Sequence, residues 1–412
     1  METTSKTGSQ STGAMPYDWV VNHFDHLSPE LAATLPETMS RMRELCPVAR
    51  SDEHGGFWVV SGYQEVFEAA REWQVYSSTR GLAILDGGAS VVKNRPVELD
   101  PPEQRIYKNL TNPFFTPAAI EGWREPIRVL VNQLIDGFVE RGTCDFMDEF
   151  ARPLPSLAFF EFALNAPTED VEEVARLAST SSVPNHPARR ESWGGLYAWI
   201  KEFIQQRRAQ PPRGDVVDAV INAQVEGRPI TEDEIIGTVQ LLILGGLETT
   251  AGALGLMLVR LCRQPHIPAL LREQPELMPQ AVQELLRLET PFVSVGRTAM
   301  RDAELGGCPV KSGDKVLLHW ESANRDAREF PDPDEFRLDR EHNRHFAFGI
   351  GPHRCTGSNL ARMNIEIALE ELLRRLPDIA VADDAEIHYH AGLTRSPLNL
   401  PITFTPGERL GE

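Results

Sequence analysis

The sequence predicts a mainly α-helical fold with a smaller, segregated β part. Three observations carry that prediction. Apolar residues recur at helical spacing over most of the chain after Pro113, strand-like runs are confined to two short stretches and the C-terminal end, and no Pro/Gly/Ser-rich linker divides the chain. At 412 residues, one interlocked domain is large enough to enclose a sizeable ligand. No internal repeat at solenoid periods is visible.

The elements follow in order. Residues 1–16, METTSKTGSQSTGAMP, are polar and lack the cationic-then-apolar order of a signal peptide, so they are expected to form a disordered tail before a single domain over 17–412. Phe57-Trp58-Val59-Val60, stopped by Ser61-Gly62, reads as a strand, and Tyr63 to Trp73 as a helix. Ile127 to Val139 is helical, with Ile127, Leu130, Leu134 and Phe138 on one face; further helices are expected over Ala198 to Arg208 and Glu232 to Arg263. Strands return at Val316 to Trp320, after the turn Ser312-Gly313-Asp314, and near the C-terminus. The apolar run Leu241 to Leu261 is long enough to raise a membrane span, but Glu248 sits near its middle. A charge at a bilayer centre costs about 2.5–3.5 kcal/mol even on the lenient scale, so a buried core helix is predicted.

Composition narrows the function classes. With 41 Lys+Arg against 60 Asp+Glu the net charge is −19, which repels phosphate backbones and anionic lipid, so neither nucleic acid nor membrane is an expected partner. Five cysteines, Cys46, Cys144, Cys262, Cys308 and Cys355, stand singly with no CxxC, which fits a reducing, cytoplasmic setting.

The most informative stretch is HFAFGIGPHRCTGSNLAR, His345 to Arg362. A glycine-rich aromatic loop delivers Cys355 to a helix start, where backbone N–H groups and the helix dipole are expected to lower the thiol pKa. Gly349, Gly351 and Gly357 clear space for something flat, and Phe348 can shield the sulfur. A shielded, hydrogen-bonded thiolate under a flat partner is the chemistry of haem ligation. His353 and Cys355 alone are too few for a zinc site.

This stretch resembles the haem-binding signature F-G-x-G-x-H-x-C-x-G of the cytochrome P-450 family of haem-thiolate monooxygenases. Three upstream segments resemble the family as well. Glu284 and Arg287 match its E-x-x-R pair. Phe330 to Phe336 resembles the segment before the haem loop, although Glu335 stands where many members carry arginine, leaving the pair's third partner unassigned. Gly245-Gly246-Leu247-Glu248-Thr249-Thr250 resembles the oxygen-binding segment, in which two glycines in succession suggest a local opening of the helix.

The resemblance implies a P-450 fold with haem b buried between the helical and β parts, Cys355 as the iron ligand, and Thr249 and Glu248 as the proton-relaying pair. Phe348, Gly349 and Gly357 would surround the haem, while His353, Arg297, Lys108 and Gln104 match positions that hold its carboxylates. The likeness is closest to the soluble camphor-hydroxylase type, whose pocket positions map to Val92, Ala83, Leu241, Leu244, Gly245, Val293, Leu393 and Thr394. Such a lining favours a small apolar substrate, a terpenoid or small aromatic. The activity implied is hydroxylation with O2, by a cytoplasmic monomer. Electrons would come from a ferredoxin-type donor and its NAD(P)H-dependent reductase, docking near Lys108, Arg354 and Arg362. A haem-thiolate peroxygenase, a non-enzymatic haem sensor and a haem-free cysteine enzyme are the competing readings. Glu248-Thr249 argues against the first, and the lack of an appended signalling module against the second.

Overall fold

The computed structural model describes residues 21–85, 90–183 and 186–411; the tail predicted for residues 1–16 lies outside them. Phe57-Trp58-Val59-Val60 is apolar at every position and buried at every position, the mark of a strand covered on both faces. It is β2 of a five-stranded sheet formed by β1 (Val48–Ser51), β2 (Phe57–Val60), β3 (Tyr76–Ser77), β4 (Ser294–Ala299) and β5 (Lys315–His319), in the order β1-β2-β5-β4-β3. Only the β2–β5 pair is parallel, with Trp58 opposite Val316. Trp320, predicted as strand, instead opens a short helix, Trp320–Ala323, because the His319 ring caps the Ser322 N–H at 3.1 Å. The C-terminal strand signal corresponds to Pro401–Thr403, which pairs with Thr143–Asp145 and Ala380–Val381 in a separate small sheet.

The helices that frame the site are α1 (Tyr63–Arg71), α2 (Glu103–Thr111), α3 (Arg124–Asp136), α4 (Val171–Ser182), α5 (Arg189–Arg208), α6 (Glu232–Arg263), α7 (Met278–Leu288) and α8 (Ser358–Arg375). The predicted bounds of α6 hold. Thr231 and Glu234 form a capping box at its start, and its 32 residues span about 48 Å. It is the one described helix long and apolar enough to cross a membrane, and 67% of its most apolar window is buried inside the protein. The Gly245-Gly246 pair does not open it: the helix is continuous through both.

Two helix predictions need correction. In α3 the buried row is Ile127, Val131 and Ile135, an i, i+4, i+8 stripe continued by Phe138; Leu130 and Leu134 flank it, half-buried. Helix α5 begins nine residues before Ala198, running through Gly194-Gly195, a pair that weakens the helical signal. Gly195 earns its place by packing: a Cβ there would lie 3.0 Å from Leu177 of α4.

Candidate active site

The Cys355 loop is held from three sides. Its start is fixed by Asn324, whose side-chain oxygen accepts the Phe346 N–H at 2.5 Å. The Gly349 N–H donates to Phe346 O and the Cys355 N–H to Phe348 O, both at 2.8 Å, and Gly349 (φ +63°) and Gly351 (φ +70°) take the left-handed conformation the turn requires. From α2, Gln104 Nε2 donates to Pro352 O at 2.7 Å, while Lys108 Nζ donates to Pro352 O at 2.7 Å and Arg354 O at 2.5 Å. The Arg362 guanidinium lies over the Phe348 ring at 4.9 Å.

Behind the loop is the buried network around Glu284 and Arg287, which are 1% and 0% exposed. Arg287 makes a bidentate contact with Glu284 at 2.7 and 2.8 Å and donates to Asn324 O at 2.8 Å. The unassigned third partner is Arg340, whose Nε reaches Glu284 Oε1 at 2.8 Å. It lies five residues beyond Glu335, and no local spacing signals it. Burial alone would raise the Glu284 pKa, but Arg287, Arg340 and the Arg337 N–H together hold it below the usual carboxylate range.

A cavity of about 890 Å³ separates this loop from α6. Cys355, His353, Phe348, Gly349 and Gly357 line it on the loop side; Leu241, Leu244, Gly245, Glu248 and Thr249 line it from α6. Cys355 opens onto this cavity, yet the protein around it desolvates the thiol. Burial therefore pushes the thiol pKa up, and the Gly357 N–H and the charges of Lys108, Arg354 and Arg362 only partly offset it. That corrects the expected net lowering. The adjacent glycines Gly245 and Gly246 of α6 have separate roles. A Cβ on Gly246 would collide with the Phe159 ring at 2.8 Å, whereas one on Gly245 would meet nothing and project into open space. Thr249 turns its hydroxyl back to donate to Gly245 O at 3.0 Å.

The other sequence-predicted residues divide clearly. Arg297, 4% exposed, lines the cavity and makes one hydrogen bond, to Gly296 O at 2.8 Å; burial lowers its pKa to about 10, with Asp100 acting in the opposite sense. His353 touches Ser78 Oγ at 3.3 Å and leaves a buried Nδ1 without a partner; burial, with Arg297 and Lys108, pushes its pKa down to about 3. Gln104 and Lys108 also line the cavity, but their donors are engaged with loop carbonyls. Of the pocket positions, Val92, Ala83, Leu393 and Thr394 join the lining. Val293 does not: it sits in a separate buried cluster with Phe24, Val59 and Leu317. Phe292, bridged to Thr394 just before β4, faces the cavity, and so do Val295 and Arg297 within the strand, whereas the Val293 side chain packs away from it. Phe159, Trp193, Phe292 and Val295, which sequence reasoning missed, also face the cavity.

These residues suit haem. A flat group between Cys355 and α6 would meet the bare Gly245 and Gly357 surfaces, where an added Cβ finds no neighbour. The buried Arg297 guanidinium has no ion pair to a carboxylate among the described residues, and His353 has an unmet Nδ1; both await an anionic acceptor.

The cytochrome P450 family profile matches residues 183–377. A Steroid C26-monooxygenase of Mycolicibacterium smegmatis is 33% identical over 373 residues, 89% of this chain and 91% of its own length. Linalool 8-monooxygenase of Pseudomonas putida is 28% identical over 390 residues, 90% of this chain and 95% of its own. Among solved structures, cytochrome P450 CYP101C1 aligns with a TM-score of 0.85 at 28% identity, covering 94% of this chain and 98% of its own.

Proposed function

Because the chain belongs to the cytochrome P450 family and is a haem-dependent monooxygenase of it, we propose that it hydroxylates a compact apolar molecule of the terpenoid kind at an unactivated C–H bond. The observation that carries this reading is the apolar wall of Leu241, Leu244, Val92, Phe292 and Val295 facing Cys355 across one cavity. The names of two relatives, a steroid and a linalool monooxygenase, point to isoprenoid-derived substrates.

Bound to the Cys355 sulfur, haem supplies the oxygen-activating chemistry. The chain's own residues do the rest. Cys355 Sγ offers an electron-rich ligand whose charge is met by the Gly357 N–H and by Lys108, Arg354 and Arg362. Arg297 and His353 would hold the haem carboxylates, while Gln104 and Lys108 keep the cysteine loop in shape. Thr249, whose hydroxyl donates to Gly245 O, is the group that would hand on a proton within the cavity, and Glu248 would connect that hydroxyl to solvent. The apolar wall fixes the substrate and excludes water. Electrons arrive from a ferredoxin-type donor, reduced by an NAD(P)H-dependent reductase and docking on the cysteine side, where Arg354 and Arg362 lie. The protein acts as a cytoplasmic monomer.

The test is a two-step spectroscopic screen of the haem protein. The ferrous CO complex is expected to give the strongly red-shifted band of a thiolate ligand, and terpenoid ligands to displace the ferric spectrum toward high spin. A red-shifted CO band with no response to any terpenoid, but with a response to acidic or peptidic ligands, would overturn the substrate class.

A further inference from the structure

Beside one wall of the cavity, apart from the Cys355 loop and α6, the chain brings together three side chains that the monooxygenase mechanism does not use. Asp25, His26 and His54 place one ligand atom each within 4.8 Å of one another. His54 Nε2 lies 2.6 Å from Asp25 Oδ1, an oxygen that also accepts the Leu27 N–H at 2.8 Å. His26 is 9% exposed, and its Nδ1 is buried with no hydrogen-bond partner. An imidazole buried with an unmet ring nitrogen needs a proton donor, a proton acceptor or a cation, and no hydrogen-bond partner among the described residues supplies one. The two rings meet edge to face with centroids 5.4 Å apart, and Phe57 flanks both, at 5.6 and 6.3 Å.

We propose that Asp25, His26 and His54 form a zinc-type divalent metal site, separate from the haem centre, in which the ion takes the place of the proton now shared by Asp25 and His54. Two imidazoles and one carboxylate are the borderline nitrogen and oxygen set that suits Zn2+, not the all-oxygen shell of Mg2+ or Ca2+. Tetrahedral zinc with bonds near 2.05 Å separates its ligands by about 3.3 Å, so Asp25 and His54 open slightly from their present contact while the remaining distances close. Solvent fills the fourth position. His54 belongs to the turn Glu53–Gly55 between β1 and β2, whereas His26 and Leu27 line the haem cavity. The ion thus ties one wall of the cavity to the sheet.

The experiment uses the haem-loaded full chain, stripped with a chelator and dialysed against micromolar free zinc, with bound metal counted by elemental analysis. His54→Asn and Asp25→Asn are the test variants. Asparagine tolerates the positive backbone angle of His54, φ +53°. His388→Ala, at an exposed histidine outside the cluster, is the control. A retained thiolate CO band certifies that each variant is folded. One zinc per chain in the wild type and in His388→Ala, lost in both cluster variants, with a zinc-dependent rise in thermal midpoint seen only where zinc binds, is the expected result. A wild type that takes up no stoichiometric zinc overturns the proposal, as does stoichiometric zinc retained by either folded cluster variant.

Discussion

Glu284→Gln is the sharpest test of how the thiolate side is built. The Glu284 carboxylate accepts five hydrogen bonds: two from Arg287 at 2.7 and 2.8 Å, and one each from Arg340 at 2.8 Å, Asn343 at 3.1 Å and the Arg337 N–H at 3.1 Å. The amide keeps the shape but removes the charge and turns one acceptor into a donor facing donors. Two guanidinium groups, 0% and 6% exposed by side chain, are then left without a counter-charge. Breaking one partner of a buried pair costs about 3–5 kcal/mol, and this carboxylate serves two arginines, so the upper part of that range is expected. Arg340→Ala should cost less, roughly 2 kcal/mol, because Glu284 keeps Arg287, Asp332 O keeps the Glu335 N–H and Glu335 O keeps Arg287, so that of the three carbonyls Arg340 serves only Pro331 O loses its donor. Urea unfolding of the haem protein, followed by tryptophan fluorescence and by the Soret band, gives both values. The two probes should shift together, since Arg287 reaches the Cys355 loop through Asn324. A Glu284→Gln protein within 1 kcal/mol of the wild type, or one less affected than Arg340→Ala, would refute the reasoning.

Four further outcomes are expected. Cys355→Ala should fold, by far-UV circular dichroism, yet lose the thiolate CO band and turnover. Thr249→Ala should keep consuming NADH and O2 through the redox partners but form severalfold less product per NADH, with hydrogen peroxide making up the difference; unchanged coupling would remove Thr249 from the relay. Arg297→Leu should stabilise the haem-free protein by about 1–3 kcal/mol, since it removes a buried charge without an ion pair, while haem dissociates faster from the loaded enzyme. Acid stability follows the buried histidines: burial lowers His319 to about 3 and His345 to about 4. The fold holds both neutral, so their contribution is complete above the unfolded value near 6.5 and is lost as pH falls toward the folded values, at up to roughly 1.4 kcal/mol per pH unit for each. Thermal midpoints should therefore begin to drop below pH 6.5, before the carboxylates titrate, and His319→Asn should flatten that slope.

What the sequence made legible was whatever lies close together along the chain. Helix α6 could be bounded to the residue because its capping box and its apolar run are adjacent. The Cys355 loop was readable because all its working parts fall within ten positions, from Phe348 to Gly357. By contrast, the buried stripe of α3 was misassigned by a rotation, since Leu130 and Leu134 compete with Val131 and Ile135 and only the packing partner decides between them. Arg340 was invisible because its approach to Glu284 depends on the path of the irregular segment between Phe330 and His345. Val293 was misplaced because it packs into the separate cluster of Phe24, Val59 and Leu317, contacts that come from distant segments, while its neighbour Phe292 takes the place on the cavity wall.

The same division explains why chemistry could be read further than specificity. The cysteine side of the cavity is fixed largely by backbone. Phe348 O, Pro352 O and Arg354 O are each held by a named donor, and Asn324 couples the loop to a buried ionic network whose members have almost no solvent exposure. Such a wall tolerates little movement, so its sequence signature is rigid and its function follows from it. The opposite wall is assembled from side chains on separate segments: Ala83 and Val92 from one loop, Leu241 and Leu244 from α6, Phe292 and Val295 around the start of β4, and Leu393 from the C-terminal region. Those contacts are non-directional, and each residue can change by a methylene or a ring without disturbing the thiolate. A substitution there, Val92→Phe or Leu244→Ala, reshapes the space above the haem and redirects the site of hydroxylation, whereas a substitution of comparable size at Gly351 would drive a Cβ to within 3.1 Å of Ala70 O and distort the cysteine loop itself.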